Sequence, residues 1–276
     1  MNTNSLSERF YLMVLRFVCS LLLAASLWCA PCSASAAENF RVPILLYHRF
    51  GPTVADGMTV TTPVFESQMK YLHDNGYTVI PLRRLVDHYR GLAPAPKPKS
   101  VVIVADDGHK SVYGYMLPVI RKYGYPVTIF AYPSAISNAK YAMTWDQLRE
   151  LKKTGLFDIQ SHTYWHPNFK KDRKKLSSEA YDKFVTTQLV KSKVKLDSEL
   201  GTKVDLLAWP FGIYDDYLIK KAVEAGYVAS FTIERRHATP RDPVMKLPRY
   251  LLVNADSGKA FAQLLEGNAV KRNVVY

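Results

Sequence analysis

Cysteine is nearly absent from this sequence. The 276 residues hold three, Cys19, Cys29 and Cys32, all within the first 32 positions. A Cys₄ zinc site, an iron–sulfur cluster and a disulfide framework are therefore excluded for the rest of the chain. Glycine-rich phosphate loops are missing as well. No G-x-G-x-x-G follows the first strand-like run and there is no Walker loop, so dinucleotide and NTP binding have no support. Acidic residues are outnumbered, 24 Asp plus Glu against 37 Lys plus Arg, a net charge of +13. That excess suits an anionic envelope surface or polymer, and it also serves plain solubility. Without aromatic-basic interleaving or a nucleic-acid motif, nothing supports DNA or RNA as partner. What remains, 48% hydrophobic and 22% charged residues, is the composition of a packed globular protein.

The start of the chain reads as an address. Arg9 and Arg16 stand against a lone Glu8, and Phe17 to Ala30 form a 14-residue uncharged apolar run. Pro31 and the small residues Ala34-Ser35-Ala36-Ala37 follow. A basic start, a short apolar core and an Ala-x-Ala end describe a secretory signal peptide over residues 1–36. The alternative, a retained anchor, needs about 20 apolar residues to cross a bilayer. Cleavage would leave one domain, residues 37–276, exported to the periplasm or beyond, free of cysteine and so with no thiol to misoxidise.

From Arg41 onward, short apolar runs alternate with amphipathic stretches. RVPILLY (41–47), YTVI (77–80), VVIVA (101–105), VTIFA (127–131), FDIQ (157–160), Leu206–Trp209, Val228–Thr232 and Tyr250–Val253 have strand length and composition. Helix signals lie between them. Thr62-Pro63 opens one, Gly76 and Gly124 end two, Thr144-x-x-Gln147 is a capping box, and a long basic helix is expected over Ser177–Leu200. Strand–helix alternation favours α/β architecture with a parallel sheet and right-handed crossovers. A closed or nearly closed β/α barrel fits this length as a single domain, with an open doubly wound sheet as competitor.

The reactive side chains fall at the C-terminal ends of these strands, which parallel β/α folds gather on one rim. His48 follows the first strand. Asp106-Asp107-Gly108 follow VVIVA, Ser161-His162-Thr163-Tyr164-Trp165-His166 follow FDIQ, and Pro210-Phe211-Gly212 follow the LLAW strand. His162 and His166 are four apart, a spacing that puts both rings on one side of a helical turn and suits a metal ion. Adjacent carboxylates repel unless a cation relieves them. Asp107 on the ion and Asp106 beside it, as base toward water, is the natural division; a helix N-cap is the plainer use of one of them. Two His and one Asp leave a tetrahedral ion an open position, the mark of a catalytic site suited to amide or ester hydrolysis. Zinc is the default for this donor set, with cobalt, nickel or iron also compatible.

Asp-Asp-Gly after an apolar strand, Ser-His-Thr-x-x-His and Pro-Phe-Gly, in this order, resemble carbohydrate esterase family 4, the polysaccharide deacetylases. The resemblance runs from about Val42 to Val253. It implies a distorted (β/α)₇-type barrel and hydrolysis of N-acetyl groups from a polysaccharide, with Asp107, His162 and His166 on the metal and Asp106 as general base. It also implies that the Phe211 N–H supports the oxyanion. Two departures stand out. Ala208 occupies the place where many members carry an Arg that orients the base, leaving Arg249 as the candidate substitute. No Leu-x-x-His appears near the C-terminus; instead Leu46-Tyr47-His48 is similar to the biofilm-associated poly-β-1,6-N-acetylglucosamine deacetylases, which draw the catalytic acid from the first strand. His48 is thus the candidate acid, the alternative being a strand-end His bonded to a neighbour. Among the aromatic residues near the rim, Tyr164 and Trp165, between the two His, are the candidates for stacking on sugar. The rival reading is a catalytically silent polysaccharide-binding or export-accessory barrel.

Overall fold

Alternating strand and helix builds a curled parallel sheet in the computed structural model, which describes residues 39–269. The expected leader, residues 1–36, lies outside the described residues. The strands are β1 (Ile44–Tyr47), β2 (Arg49–Gly51), β3 (Thr59–Thr61), β4 (Thr78–Val79), β5 (Ser100–Asp107), β6 (Val127–Ala131), β7 (Phe157–Ser161), β8 (Leu206–Ala208), β9 (Ala229–Phe231) and β10 (Tyr250–Leu251). Seven of them run in the order β10-β1-β5-β6-β7-β8-β9, and β4 pairs with the start of β5. Every ladder is parallel. Between β9 and the segment leading into β10 a single bridge, Phe231 to Leu247, draws the two edges together. The result is a distorted (β/α)₇-type barrel, as the sequence pattern implies.

The helices are α1 (Thr62–Asp74), α2 (Leu82–Tyr89), α3 (Leu117–Tyr123), α4 (Trp145–Lys153), α5 (Phe169–Arg173), α6 (Ser178–Leu200), α7 (Asp216–Glu224) and α8 (Gly258–Leu265). Their local causes are those the sequence announces. Pro63 sits in the first turn of α1. Thr144 and Gln147 form the reciprocal capping box of α4, and Ser177 caps α6 by accepting from the Ala180 N–H. Gly124, at φ 65°, ends α3 in the left-handed conformation. No helix of the described residues is long and apolar enough to cross a membrane.

Strand parity divides the core in two. Ile44, Leu46, Val102, Val104, Phe130, Leu206, Ala208, Phe231 and Leu251 pack together in the barrel interior, with Leu82, Leu85 and Val86 of α2. The intervening residues Leu45, Tyr47, Ile103, Ala105, Ile129, Ile159 and Leu207 pack outward with helix residues such as Phe65, Met69, Ile120 and Leu189. Two features go beyond the sequence pattern. β2 and β3 form a separate two-stranded parallel pair, framing a loop over residues 52–58. The segment after β5 enters α3 through a π-helical turn, Val112–Met116.

Candidate metal centre and active site

Parity explains which side chains reach the rim. Asp106 continues the inward set Val102 and Val104, His48 continues Ile44 and Leu46, and His162 lies two beyond Gln160. Asp107 would by the same count face the helices. Its φ of 74° breaks the strand and re-aims it. Gly108 follows at φ 68°, a conformation that favours glycine, and an added Cβ there would lie 2.9 Å from Ile136 Cδ1. Of the six non-glycine residues with positive φ among the described residues, Asp107, Thr163, His166 and Phe211 belong to this one site. Backbone held in this region costs about 1–3 kcal/mol per residue and marks functional positions.

Asp107, His162 and His166 each offer a donor atom, all within 4.8 Å of one another. Asp107 Oδ1 lies 3.7 Å from His162 Nε2 and 3.7 Å from His166 Nε2. A tetrahedral ion with bonds of about 2.1 Å sets its donors about 3.4 Å apart, so the spacing fits a cation of zinc's size. The donor chemistry fits too. His162 Nδ1 donates to the Ala208 carbonyl at 2.8 Å, which leaves the Nε2 lone pair facing the cluster. Burial, with His162 beside it, pushes His166 down to about 4, so that ring is neutral at neutral pH, as ligation requires. The two rings meet edge to face at 4.6 Å. The expected helical turn is not what unites them: residues 162–166 form an irregular loop, and the left-handed Thr163 and His166 do what a helix would have done.

Asp106 is buried beside this cluster, its Oδ2 3.6 Å from His162 Nε2. The fully buried Arg249 donates to both carboxylate oxygens, at 2.8 and 2.9 Å, and its Nε donates to the Thr232 carbonyl. Burial alone would raise the Asp106 pKa; the Arg249 charge and hydrogen bonds, together with His162 and His48, outweigh it and hold the carboxyl below the usual range. Ala208, where the resemblance calls for Arg, contributes its carbonyl to His162 instead. Arg249 therefore supplies the grip on Asp106 from the segment entering β10.

These groups line a cavity of about 390 Å³ together with His48, Arg49, Met58, His109, Tyr132, Tyr141, Trp209, Phe211 and Ile233. Phe211, at φ 56°, sets its ring 4.5 Å from that of His166. His48 is half-buried, and its buried Nδ1 has no hydrogen-bond partner among the described residues. Burial pushes its pKa down, against the pull of Asp107 and Asp106. Tyr164 and Trp165 are not among the lining residues: Lys191 lies over the Tyr164 ring, and Trp165 packs against Phe184 of α6. The left-handed backbone at Thr163 and His166 brings the imidazoles inward and leaves the two rings between them outside. The sequence leaves His109, next to Gly108, open between facing the metal and starting the following helix; the structure puts it in the cavity wall. Arg49, Met58, Tyr141 and Ile233 are wall residues that sequence reasoning does not reach. Arg49 is the immediate neighbour of His48, a signal the sequence carries; Met58, Tyr141 and Ile233 arrive from loops and carry none. A larger cavity, about 500 Å³, lies at the opposite strand ends. There Asp205 is paired with Arg83, and Gln160 donates to Asp158, which is structural pairing at the barrel base.

A β/α barrel with an Asp-His-His cluster and an anchored carboxylate on its C-terminal rim has the layout of a metallohydrolase. The polysaccharide deacetylase family matches residues 93–230, half of the chain, and the chain belongs to that family. The YxkH protein of Bacillus subtilis is 29% identical over 229 residues, covering 82% of this chain and 76% of that protein. The poly-β-1,6-N-acetyl-D-glucosamine N-deacetylase of Staphylococcus aureus is 26% identical over 212 residues, 75% of this chain and 71% of that one. The Streptococcus pyogenes deacetylase PplD, solved in complex with acetate, superposes with a TM-score of 0.73 at 22% identity over 82% of this chain and 98% of its own, a likeness of fold.

Proposed function

We propose that this chain is a metal-dependent hydrolase that removes N-acetyl groups from an exported N-acetylglucosamine polymer and releases acetate. The observation that carries the reading is the clustering of the Asp107, His162 and His166 donor atoms beside a carboxylate gripped by a buried arginine. The name of the Staphylococcus aureus relative supports a β-1,6-linked N-acetylglucosamine polymer as substrate. The basic charge and the leader-like start support action at the cell envelope or beyond it. Zinc is the ion we assign to the site, with cobalt, nickel and iron matching the same donors.

The division of labour follows from the residues. A divalent cation held by Asp107, His162 and His166 supplies Lewis acidity, lowering the pKa of water and polarising a carbonyl. Asp106, kept ionised by Arg249, takes the proton of the attacking water at its carboxylate. Because Arg249 binds both oxygens, the carboxylate is fixed in orientation and approaches water along a single direction. The Phe211 N–H supports the oxyanion of the tetrahedral species. Trp209, Met58 and Ile233 give the cavity an apolar wall that suits an acetyl methyl group. His48 rests neutral, so it serves as acid after receiving a proton during turnover. Proton balance then has the proton taken by Asp106 reach the leaving amine through His48, which lines the same cavity. Outside the cavity, Tyr164 and Trp165 have a substrate role only for sugar units beyond the one being hydrolysed.

Acetate release should be measured on β-1,6- and β-1,4-linked N-acetylglucosamine oligomers, with elemental analysis of the purified protein, with and without a chelator. A chelator-sensitive release, faster on the β-1,6 series, is the expected outcome. Oligomer binding without acetate release at any metal loading would mean a silent polysaccharide-binding barrel instead.

A further inference from the structure

Beside the catalytic cavity lies a second hollow of about 410 Å³, between α5, the start of α6 and residues 213–218. Two short stretches of chain join it to the first. Phe211 lines the catalytic cavity, and Ile213 and Tyr214 line the hollow; two residues of chain span at most about 7 Å. His166 is a candidate metal ligand, and Phe169, three residues on, lies in the hollow's floor. The hollow therefore opens beside the unit being hydrolysed, within the reach of the next units of a polymer.

Its wall is aromatic and its rim is cationic. Tyr181 and Tyr214 line it with Lys170, Arg173 and Lys174. Arg173 lies over the Tyr181 ring at 5.6 Å and pairs with Asp215, the acidic residue of the lining, at 2.8 Å. Lys170 and Lys174 have no carboxylate partner among the described residues. Tyr181 is buried, so the half-buried Tyr214, with Lys246 5.8 Å from its ring centre, is the aromatic surface that suits a pyranose ring. The free lysines discriminate by charge: an N-acetylglucosaminyl unit is neutral, whereas the glucosaminyl product carries an ammonium. At about 6 Å in a water-like dielectric each lysine disfavours that ammonium about threefold, and two disfavour it about tenfold.

We propose that this hollow is a polymer subsite that holds the units next to the one being hydrolysed, and that its lysine rim admits neutral N-acetylated units in preference to glucosaminyl ones. The proposal rests on the polysaccharide deacetylase reading of the neighbouring cavity and adds to it a rule about pattern: deacetylated units should be spaced along the product rather than adjacent.

The test compares N-acetylglucosamine as the monosaccharide, which leaves the subsite empty, with the β-1,6-linked hexamer, using the full chain, Tyr214→Ala and the surface double variant K170Q/K174Q. Circular dichroism and zinc affinity serve as fold controls. The unaltered protein should prefer the hexamer in kcat/KM by about tenfold, the scale of one aromatic stacking contact. Tyr214→Ala should lose that preference. In tandem mass spectra of hexamer products, free amines should be separated by acetylated units, and K170Q/K174Q should yield adjacent amines several-fold more often. Loss of the length preference in Tyr214→Ala with an unchanged pattern in the lysine variant would support the subsite and overturn its charge selectivity. Acetate release with no length preference would overturn the subsite and leave the deacetylase reading standing. No acetate from any oligomer would overturn that reading, and the subsite with it.

Discussion

Replacing Arg249 by Met should destabilise the protein by about 3–5 kcal/mol, the scale measured when one partner of a buried ion pair is removed. The structure places this change at the severe end. Arg249 is fully buried and Asp106 nearly so, both carboxylate oxygens lose their donor at once, and the Thr232 carbonyl loses the guanidinium Nε–H. Methionine fills much of the arginine stem's volume, so little of the loss comes from packing. For a domain of this size each kcal/mol moves Tm by about 2–4 °C, which makes the expected drop roughly 6–20 °C. The control is the double variant Asp106→Asn/Arg249→Met, in which the stranded charge is gone. It should recover about 2 kcal/mol relative to Arg249→Met, a coupling expected of directly bonded residues. Arg249→Lys should fall between, since a point charge replaces a two-pronged donor. Urea unfolding followed by circular dichroism, on chelated protein so that no bound ion masks the charge, measures the three variants against the unaltered protein. If Arg249→Met lost less than 1 kcal/mol, or the double variant were no better than the single one, the pair would not be holding an ionised carboxylate in place.

Three further outcomes follow. Asp107→Ala and His162→Ala should each abolish acetate release and lower zinc affinity by tenfold or more by equilibrium dialysis, the scale seen even for residues that only support a ligand; wild-type affinity in either would remove that residue from the site. Gly212 sits at φ +63°, where an added Cβ would lie 2.3 Å from Ile233 Cγ1. Gly212→Ala should therefore cost about 2–3 kcal/mol, whereas Gly76→Ala, at φ +67° but with open space around it, should cost nearer 1 kcal/mol; equal melting temperatures would refute the clash. Burial pushes His237 down to about 4, against about 6.5 in an unfolded chain. The unfolded state binds the extra proton between those values, so the stability from the neutral ring is complete above about pH 6.5 and is lost as the pH falls toward 4, about 3 kcal/mol in all. His237→Gln should flatten the melting curve against pH in that window, and an unaltered slope would show that other groups set it.

The sequence was legible where one periodicity governs. Apolar runs of strand length, helix caps at Thr144 and Ser177, and stops at Gly76 and Gly124 placed nearly every element within a residue or two. The same count placed His48, Asp106 and His162 at strand ends. The β2–β3 pair was missed because three-residue strands in a polar loop have too little apolar pattern to register. Phe211 was placed beside the cluster by its Pro-Phe-Gly setting. Tyr164 and Trp165 are candidates for substrate by their position between the two His, and the backbone there turns the imidazoles inward and leaves the rings outside the cavity. Arg249 was proposed only because the expected arginine was absent. Nothing in Leu247-Pro248-Arg249 announces a partner 143 residues away; the barrel's curl brings it there.

The adjacent Asp106 and Asp107 show why such a site needs both regular and irregular backbone. On an undistorted strand, neighbours face opposite sides, so two consecutive carboxylates could not both serve one cavity. Asp106 keeps the strand's parity and so lands inside the barrel, where Arg249 can hold it rigidly. Asp107 leaves that parity through its left-handed φ and reaches the His pair from the strand's end. The strain at Asp107, His166 and Phe211 is thus confined to residues whose direction the regular fold would get wrong, while His48, Asp106 and His162 need none. Changing Asp107 to a β-branched residue such as Val should accordingly cost more stability than changing it to Asn, which tolerates that φ, even though both remove the charge.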